Sequence, residues 1–576
     1  MQELKMWYIK LAYWCLSLLW PSRPEPAKSR KIAGYRLIFS GFLMLFIFSL
    51  IGAQSIALAV NKLERTDDRY TSVNNMTRGA ILDQKGRILA STVPINILYA
   101  DPKHIFNPKE VASALLPYVP KLDEETLIRR LTKEGRFIEL DRKLTPKRHS
   151  AIIKLGLPGI YVKPTTIRIY PQGKEASHII GAVDRDNNGI AGIEKSQNQT
   201  LAAGENVYLS IDTGLQAILR GALNSQIKNF EALGGAALIL DINTGEIIAA
   251  TSLPDFDPNH MMISTDKARF NQVTKGVYEM GSIFKVLNTA IALETGAIDL
   301  NGTVDVSTPI QVAGQLIDDY HPIEGSIGVA EILVRSSNIG SAHISQLIGP
   351  DTQKNYMKQL GLLKPSPLEI VENGVPLIPE DWSYITTMTV SYGYGISVSM
   401  VQAASAIAAA GGNGHYINPT LLKRSASEPI KKVRIFSPET SMAVRSMMRL
   451  VVSNKIGTGN FADAPGYLVG GKTGTAEKVE NRKFNKKANR VSFVATFPAN
   501  KPAFLIMMMV DEPIGQIHSH NYATAGWVVA PAIKDVVNQI APILGVHPVD
   551  ITKPENSQNL LPPMMLDGKE TIYASF

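Results

Sequence analysis

Residues 276–285 read Gly-Val-Tyr-Glu-Met-Gly-Ser-Ile-Phe-Lys, and the interpretation of the whole chain starts from this stretch. It places Ser282 and Lys285 at the start of a segment, 282–297, whose apolar spacing predicts a helix. Side chains at i and i+3 share one helix face, so the hydroxyl and the amine are expected to meet. A serine is a poor nucleophile unless a base takes its proton, and lysine can be that base only when its pKa falls well below about 10.4. Burial, a helix N-terminus and a second cation all lower that pKa.

Two further short motifs follow in order along the chain. Residues 336–338 read Ser-Ser-Asn within a region, 328–347, that is predicted to be helical. Residues 472–474 read Lys-Thr-Gly after an apolar run, 466–470, that is predicted to be a strand. Each motif alone is weak evidence for a catalytic site, since a Ser-x-x-Lys sequence is expected about twice by chance in a chain of this length. Their order and local context make the set informative.

The residue types of these motifs suit chemistry at a serine. Ser336 can relay a proton, and Asn338 can bond a substrate amide with both a donor and an acceptor. Lys472 can be the second cation that lowers the pKa of Lys285. We therefore predict a catalytic set made of Ser282, Lys285, Ser336, Asn338 and Lys472.

The third motif suits a substrate that carries a carboxylate. Thr473 and Thr475 lie two apart on one strand, so their side chains share a face and, with Lys472, can hold a terminal carboxylate. Gly474 is expected to let a substrate backbone approach this strand closely. Backbone N–H groups of Ser282 and Thr475 are expected to form an oxyanion hole.

The charge distribution indicates a membrane anchor. Residues 1–36 carry seven Lys or Arg and two Glu, so +5 of the net charge of +8 lies ahead of the uncharged run 37–60. A nucleic-acid binder would carry this excess in a folded domain. The positive-inside rule predicts a cytoplasmic segment at 1–36 and a transmembrane anchor at 37–60. A cleaved signal peptide is the alternative, with Ala-Leu-Ala at 57–59 as the cleavage site.

The composition and the pattern of predicted helices and strands indicate a folded exported part with two domains. Of the 576 residues, 45% are hydrophobic and 19% charged, which excludes a disordered or collagen-like chain. Residues 61–222 alternate strand-like pieces with a stretch, 108–156, that is predicted to be helical, and they read as a mixed α/β pedestal module. Residues 223–545 begin with a predicted hairpin at 236–250 and read as an α/β (α+β) sandwich domain. The tail, 546–576, is rich in proline and is predicted to be disordered.

No metal or organic cofactor is expected. Cys15 is the one cysteine, so cysteine-based zinc sites and clusters are excluded. His518 and His520 lie two residues apart without a third ligand nearby, and we interpret them as residues of a surface loop. His178 is interpreted as a structural hydrogen-bonding residue, and Trp527 as a core residue.

The three motifs together resemble the penicillin-binding protein and serine β-lactamase superfamily. The N-terminal module is similar to class B penicillin-binding proteins at Arg-Gly-Ala-Ile-Leu-Asp (78–83), Arg-Ile-Tyr-Pro (168–171), Ala-Ser-His-Ile-Ile-Gly (176–181) and Gly-Ile-Glu (192–194). The C-terminal domain resembles the division-specific FtsI branch at Gly-Val-Tyr-Glu-Met-Gly-Ser (276–282), Ser-Tyr-Gly-Tyr-Gly (391–395) and Ala-Thr-Ala-Gly-Trp (523–527). The family often has Pro where Met280 stands, and some members have His where Tyr394 stands, which puts details of the substrate groove in doubt.

The resemblance implies a penicillin-binding transpeptidase fold and a D,D-transpeptidase that cross-links peptidoglycan stem peptides. Ser282 would attack the D-Ala-D-Ala carbonyl, release the last D-Ala and pass the acyl group to an amine on a neighbouring stem. Carried over by motif, Lys285 would be the base, Ser336 the proton relay and Asn338 the amide anchor. Lys472, Thr473 and Thr475 would form the carboxylate clamp.

The resemblance also implies location, partners and inhibitors. An enzyme of this branch would sit in the bacterial inner membrane with its catalytic domain in the periplasm, at the division septum. Its partners would be an FtsW-type glycosyltransferase, FtsN and FtsQ-FtsL-FtsB, and β-lactams would acylate it covalently.

Three alternatives stay open on the sequence. An elongation-specific class B transpeptidase would use the same chemistry in a different complex. A β-lactamase would need a glutamate that activates water, and no convincing equivalent is present. The third alternative is a non-enzymatic protein: a β-lactam sensor would need an effector domain, for which about 36 cytoplasmic residues are too few, and a pure scaffold would not need the intact Ser-Lys pair.

Overall fold

The computed structural model describes residues 35, 37–55, 77–312, 314–425, 427–480, 483–550, 564–566 and 569–571. It divides into two units, residues 1–76 and 77–576. The first unit contains helix α1, Leu37–Ser55, whose 19 residues have a mean hydropathy of 2.1 and no burial. Within the described residues it is the one helix that is long and apolar enough to cross a membrane. The predicted cytoplasmic segment lies almost entirely outside the described residues, as do residues 56–60 of the predicted anchor.

The N-terminal module of the second unit is mixed α/β, as predicted. Its strands are β1 (Ile81–Leu82), β2 (Ile88–Ala100), β3 (Ile138–Leu144), β4 (Ile160–Ile169), β5 (Ala182–Val183), β6 (Gly189–Ala191) and β7 (Val207–Tyr208). Its helices are α2 (Pro108–Leu115), α3 (Glu124–Leu131), α4 (Pro146–Lys154), α5 (Ser177–Ile180), α6 (Gly192–Ser196) and α7 (Asn198–Ala202). Strand β2 organises the module, because it pairs antiparallel with β1, β3 and β4, and β1 continues in parallel to β7.

One prediction for this module was partly wrong. The stretch 108–156 was predicted to be helical throughout, but strand β3 lies between helices α3 and α4. Leu140 and Leu144 of β3 are buried, while the charged residues between them are not. The dense charges of this segment hide its period-two alternation, so the strand is difficult to detect from the sequence.

The C-terminal domain is built on one antiparallel sheet with helices on both faces. Its sheet has the order β18 (Gly470–Glu480), β19 (Lys483–Phe497), β20 (Phe504–Asp511), β8 (Gly234–Asp241), β9 (Ile247–Leu253). Its smaller strands are β10 (Val277–Tyr278), β11 (Thr303–Asp305), β12 (Ile310–Val312), β13 (Gln315–Ile317), β14 (Ser326–Gly328), β15 (Val398–Ser399), β16 (His415–Ile417) and β17 (Lys432–Arg434). Its helices are α8 (Thr213–Asn229), α9 (Asp266–Arg269), α10 (Lys285–Glu294), α11 (Val329–Arg335), α12 (Asn338–Ile348), α13 (Pro350–Gln359), α14 (Tyr384–Ser391), α15 (Met400–Ala410), α16 (Pro438–Ser453), α17 (Ala525–Val528) and α18 (Ala530–Ile543).

Strand β8 shows why the sheet has this layered arrangement. Ala237 and Ile239 face a core shared with helices α8 and α18, whereas Leu238 and Leu240 face the larger core that contains α10 and α15. Because both faces are buried, the strand reads as a continuous apolar run. The predicted hairpin at 236–250 is confirmed as β8 and β9, and the α/β sandwich is confirmed with it.

Two element predictions were wrong around the motifs. The strand predicted at 466–470 is instead β18, which begins at Gly470, since Leu468 has a positive φ of 47° that interrupts extended backbone. The helix predicted at 328–347 is two helices, α11 and α12, separated at Ser336 and Ser337. The Lys-Thr-Gly motif therefore lies inside a strand and not after one, and the Ser-Ser-Asn motif lies at a helix junction and not within a helix.

Helix α8 crosses the predicted boundary between the two domains. The boundary predicted between residues 222 and 223 falls within this helix, which begins at Thr213 and packs against the sheet of the C-terminal domain. We propose that the domain boundary lies at about residue 212. Most of the predicted disordered tail lies outside the described residues, and two strands that do belong to it, β21 (Met564–Leu566) and β22 (Lys569–Thr571), pair with each other.

Candidate active site

Three elements from distant parts of the chain bring the three motifs together. Ser282 lies in a 3₁₀ turn, Gly281–Phe284, that continues directly into helix α10. The Ser-Ser-Asn motif occupies the junction of α11 and α12, and the Lys-Thr-Gly motif lies near the start of β18. The five predicted catalytic side chains form one connected set of hydrogen bonds in the second unit.

Lys285 lies at the centre of this set. Its Nζ is 3.1 Å from the Oγ of Ser282, 3.2 Å from the Oγ of Ser336, 2.5 Å from the Ser336 carbonyl and 2.7 Å from the Oδ1 of Asn338. The side chain is completely buried. An ammonium has only three N–H donors for these four oxygens, whereas a neutral amine can also accept the Ser282 proton. The arrangement therefore suits a lysine that exchanges a proton with Ser282.

Burial of Lys285 has an electrostatic consequence. Removal from water lowers its pKa from the ordinary value to about 7, because the charged form is the one that loses hydration. The carboxylate of Asp319 acts in the opposite direction and raises the pKa. A pKa near 7 leaves a substantial neutral fraction at physiological pH, as a general base requires.

Lys472 is the second buried cation of the site. Its Nζ donates to the Oγ of Ser336 at 2.8 Å and is 3.2 Å from the carbonyl of Thr473. Burial lowers the pKa of Lys472 well below its usual value, and the positive charge of Lys285 lowers it further. Ser336 Oγ thus lies within hydrogen-bonding distance of both amines, which is the geometry that a proton relay requires.

The backbone at Ser336 explains how its side chain reaches both lysines. Ser336 ends α11 in the left-handed region, with φ 62° and ψ 41°, which is uncommon for a residue other than glycine. Ser337 then caps α12 by accepting a hydrogen bond from the Gly340 N–H. This abrupt change of helix direction places Ser336 and Asn338 side by side against Lys285.

The amide group of Asn338 is held at both ends. Its Oδ1 accepts from Lys285, and its Nδ2 donates to the backbone carbonyl of Asp318 at 2.8 Å. These contacts fix which end of the amide faces the lysine. A substrate amide bound by Asn338, as predicted, would compete with one or both of these partners.

Strand β18 forms the side of the site at which a substrate could add as a further strand. It pairs with β19 and with no other described strand, so its second edge is free for an added strand. Thr473 is nearly buried and Thr475 is exposed. The two threonines alternate with Gly474, as expected for side chains that share one face.

The reason for glycine at position 474 differs from the predicted one. A Cβ there would lie 2.8 Å from the Met280 carbonyl, 2.7 Å from the Ser492 Oγ and 2.9 Å from the Ile283 Cγ1. These are atoms of the protein itself. Glycine is thus required because the nucleophile turn packs directly onto β18, and the expected substrate approach is not needed to explain it.

The same turn also packs against the backbone of Thr475, the second residue predicted for the oxyanion hole. Gly281 has a φ of 56°, and a Cβ built on it would lie 3.4 Å from the Thr475 N and 2.5 Å from the Thr475 carbonyl. Gly393 accepts a hydrogen bond from the Gly281 N–H at 3.1 Å and holds the turn from the other side. The backbone that carries the Ser282 N–H therefore lies next to the Thr475 N–H.

Two further residues lie at the edge of this site, and sequence reasoning missed one of them, Thr458. The hydroxyl of Thr458 is 2.7 Å from the Thr473 hydroxyl, and the Tyr394 hydroxyl accepts from the Glu477 N–H at 3.3 Å. Tyr394 lies within a motif that we had noted, but the loop with Thr458 has no local feature that distinguishes it. Only the fold shows that these side chains contact strand β18.

The other residues singled out from the sequence lie elsewhere. His178 Nε2 contacts the Ala268 carbonyl at 2.8 Å, and burial lowers the pKa of His178 to about 4, so it is a neutral structural residue. His518 and His520 are exposed, and the described residues contain no cluster of three potential metal ligands. Trp527 is only half-buried and stacks on Tyr522, so its interpretation as a core residue was wrong.

Comparisons with protein families match both domains. The model described as "Penicillin binding protein transpeptidase domain" matches residues 235–537, and the model described as "Penicillin-binding Protein dimerisation domain" matches residues 73–213. Together they cover the second unit almost completely.

Curated relatives and solved structures agree with these matches. The chain is 36% identical over 481 residues to "Probable peptidoglycan D,D-transpeptidase FtsI" of Caulobacter vibrioides, covering 81% of this chain and 82% of the relative. It is 29% identical over 524 residues to "Peptidoglycan D,D-transpeptidase FtsI" of Escherichia coli K12, covering 84% and 86%. The fold is similar to penicillin binding protein 3 of Mycobacterium tuberculosis, solved as a complex with aztreonam, with a TM-score of 0.66, 21% identity, and coverage of 83% and 98%.

Proposed function

This chain belongs to the penicillin-binding protein transpeptidase family, as a class B member of the FtsI type, and from that premise we propose that it cross-links peptidoglycan through an acyl-enzyme on Ser282. The observation that carries the mechanism is the contact of a fully buried Lys285 amine with the Ser282 hydroxyl at 3.1 Å. The relatives are named D,D-transpeptidases, which supports stem peptides as substrates and β-lactams as inhibitors.

In the first step Ser282 becomes acylated. The neutral Lys285 amine takes the Oγ proton as Oγ attacks the carbonyl of the penultimate D-Ala, and a tetrahedral oxyanion forms. The backbone N–H groups of Ser282 and Thr475 donate to that oxyanion. Ser336, which contacts both Lys285 and Lys472, passes a proton to the leaving amine, and the terminal D-Ala departs.

Substrate binding uses the free edge of β18. The terminal carboxylate of the stem peptide is held by the Thr473 and Thr475 hydroxyls, with the positive end of the Lys472 side chain behind them. The peptide backbone adds to β18 as a further strand, and its amide reaches Asn338. These contacts place the scissile carbonyl next to Ser282.

In the second step an amine of a neighbouring stem attacks the acyl-serine. Lys285 took the Ser282 proton in the first step and gave it up through Ser336 to the departing D-Ala, so its neutral amine can accept a proton from the incoming amine. The new amide bond forms as the ester bond between the acyl carbon and the Ser282 Oγ breaks, and Oγ regains a proton from Lys285. Atoms and charges balance without a metal or an organic cofactor.

The location and partners follow from the anchor and the relatives. Helix α1 is long enough to cross the inner membrane once, and the basic residues ahead of it favour a cytoplasmic N-terminus. The FtsI relatives favour the septum over the side wall. We therefore include an FtsW-type glycosyltransferase, FtsN and FtsQ-FtsL-FtsB among the proposed partners.

Labelling of membranes with a fluorescent penicillin tests the acyl-serine. The parent protein is expected to give a covalent band that persists for hours, and Ser282→Ala is expected to give none, since no other hydroxyl contacts Lys285 from that turn. Ser225→Ala, an exposed serine on α8, is the matched control and should label like the parent. A band that survives in Ser282→Ala would overturn the assignment, and a band that fades within seconds would indicate a β-lactamase.

A further inference from the structure

Asp319 is a buried carboxylate close to the catalytic set that the mechanism above does not use. It lies on an arm of the C-terminal domain, residues 303–328, formed by the antiparallel pairs β11–β14 and β12–β13. The neighbouring residues Asp318 and Tyr320 are exposed, whereas Asp319 is only 7% exposed. A carboxylate buried to this extent needs partners.

The partners of Asp319 are the first groups of helix α12. Its Oδ2 accepts from the Ser337 hydroxyl at 2.6 Å. Its Oδ1 accepts from the Ile339 N–H at 3.1 Å and from the Asn338 N–H. A carboxylate is favoured at a helix N-terminus, where N–H groups lack partners within the helix. Asp319 therefore holds the end of the helix from which the Asn338 side chain projects.

The same arm also holds the Asn338 side chain. The Asp318 carbonyl accepts from Nδ2 of Asn338, which leaves Oδ1 directed at the Lys285 amine 2.7 Å away. Asp319 accepts a hydrogen bond from the backbone N–H of Asn338, and the Asp318 carbonyl accepts one from the side-chain amide of Asn338. The position of the arm thus sets the position of a direct partner of Lys285.

Asp319 also supplies charge to the site. The charged groups that face Lys285 are Lys472 from β18 and Asp319 from the arm, and its other partners, Ser282, Ser336 and Asn338, are neutral. Among the described residues Asp319 is the acidic group that acts on the pKa of Lys285, and it raises that pKa against the effect of burial. Without this carboxylate Lys285 would be harder to protonate, since burial would then act on it unopposed.

We propose that Asp319 is a positioning residue for acylation, which orients Asn338 against Lys285 and provides the buried negative charge that acts on Lys285. This inference rests on the proposed function of Ser282 and Lys285. The step it affects is the proton transfer from Ser282 to Lys285.

The test is the pH dependence of the second-order rate of acylation by a fluorescent penicillin, with the full-length protein. In the parent, the rate is expected to rise with pH as Lys285 loses its proton, with a midpoint near its pKa of about 7. Asp319→Asn removes the charge that raises this pKa, so the midpoint should move to lower pH. The plateau rate should also fall, by about 10- to 100-fold, because a small misplacement of a catalytic group is costly.

Two variants separate position from charge. Asp319→Glu keeps the charge on a longer side chain, so its plateau should fall while its midpoint stays near that of the parent. Ser337→Ala removes one hydrogen-bond partner of Asp319 and no charge, and it should behave in the same way. Glu324→Gln neutralises an exposed carboxylate on the same arm and should change neither quantity.

Each outcome has a defined meaning. A parental plateau and midpoint in Asp319→Asn overturn the proposal, and so does a lower plateau with an unmoved midpoint, which would make Asp319 an ordinary helix cap. If Asp319→Asn shows no cooperative melting transition, Asp319→Glu decides, and a parental plateau there overturns the proposal. Ser282→Ala is run alongside to distinguish the two failures: labelling that persists in it would refute the proposed function, whereas loss of labelling in it together with parental behaviour of Asp319→Asn would refute the role of Asp319 alone.

Discussion

The Lys285 amine illustrates what a short motif can and cannot determine. Its contact with Ser282 follows from a spacing of three residues and was predicted from the sequence. Its contacts with Ser336 and Asn338 join positions separated by 51 and 53 residues, and the motif order only suggested them. The depth of burial, which brings the pKa of Lys285 to about 7, comes from the packing of three elements and could not be derived from residue types.

The role of Lys285 leads to a prediction at this scale. Lys285→Ala removes the base, so acylation by a fluorescent penicillin is expected to slow by about 10²- to 10⁴-fold, the usual contribution of a general base. The measurement is the second-order acylation rate at neutral pH. Lys275→Ala, which changes an exposed lysine ten positions earlier, is the control and should keep the parental rate. Acylation at the parental rate in Lys285→Ala would remove Lys285 from the mechanism.

Strand β18 shows the limits of prediction at the scale of elements. The apolar run before the motif suggested a strand that ends at Gly470, whereas the real strand begins there and carries Lys472 to Thr475 in its interior. The strand residues 470–480 include several small and polar side chains that strand propensity does not favour. They form a strand because β19 pairs with them along their whole length, which is a tertiary effect.

The packing of β18 on the nucleophile turn leads to a second prediction. Gly474→Ala places a methyl group 2.7–2.9 Å from atoms of Met280, Ile283 and Ser492. Overpacking of this kind is expected to lower the free energy of unfolding by about 1–3 kcal/mol. It should also reduce acylation strongly, because Ser282 belongs to the displaced turn.

A second glycine provides the matched control for that substitution. Gly221 lies in helix α8 with no atom within 4 Å of a built Cβ. Gly221→Ala is expected to raise the free energy of unfolding by about 0.5–1 kcal/mol, since alanine is the better helix former. Chemical denaturation and penicillin labelling of both variants check the pair. Parental acylation in Gly474→Ala would show that the turn tolerates displacement from β18.

At the scale of the whole molecule, the N-terminal module and the C-terminal domain are joined by specific polar contacts. Asp212 caps helix α8 and pairs with Arg87 of the module, and Lys423 of the C-terminal domain donates to the Gln84 carbonyl at 2.8 Å. Within the module, the fully buried Glu194 bridges Arg78 and Arg168. These three residues come from three of the sequence stretches that resemble class B proteins, which indicates that those stretches are similar for structural reasons.

The buried bridge leads to the prediction for this scale. Glu194→Ala leaves two buried guanidinium groups without their shared carboxylate, so the module is expected to lose about 3–5 kcal/mol of stability. Thermal and chemical unfolding of the purified protein measure this loss. Glu139→Ala removes a carboxylate from a partly exposed pair with Arg142 and should cost about 1 kcal/mol or less. Equal effects of the two substitutions would refute a structural role for the bridge.

Sequence patterns were sufficient to predict the long apolar helix near the N-terminus, the order of the two domains, the hairpin at the centre of the sheet and the residues of the three motifs. These depend on local patterns: an uncharged run, an apolar alternation, and a spacing that places two side chains on one helix face. Only the tertiary structure decided the start of β18, the break between α11 and α12, the reason for Gly474, and the contacts of Asp319 and Thr458. Each of these results from packing between segments far apart in the chain, where burial and hydrogen bonding with distant partners outweigh local preference.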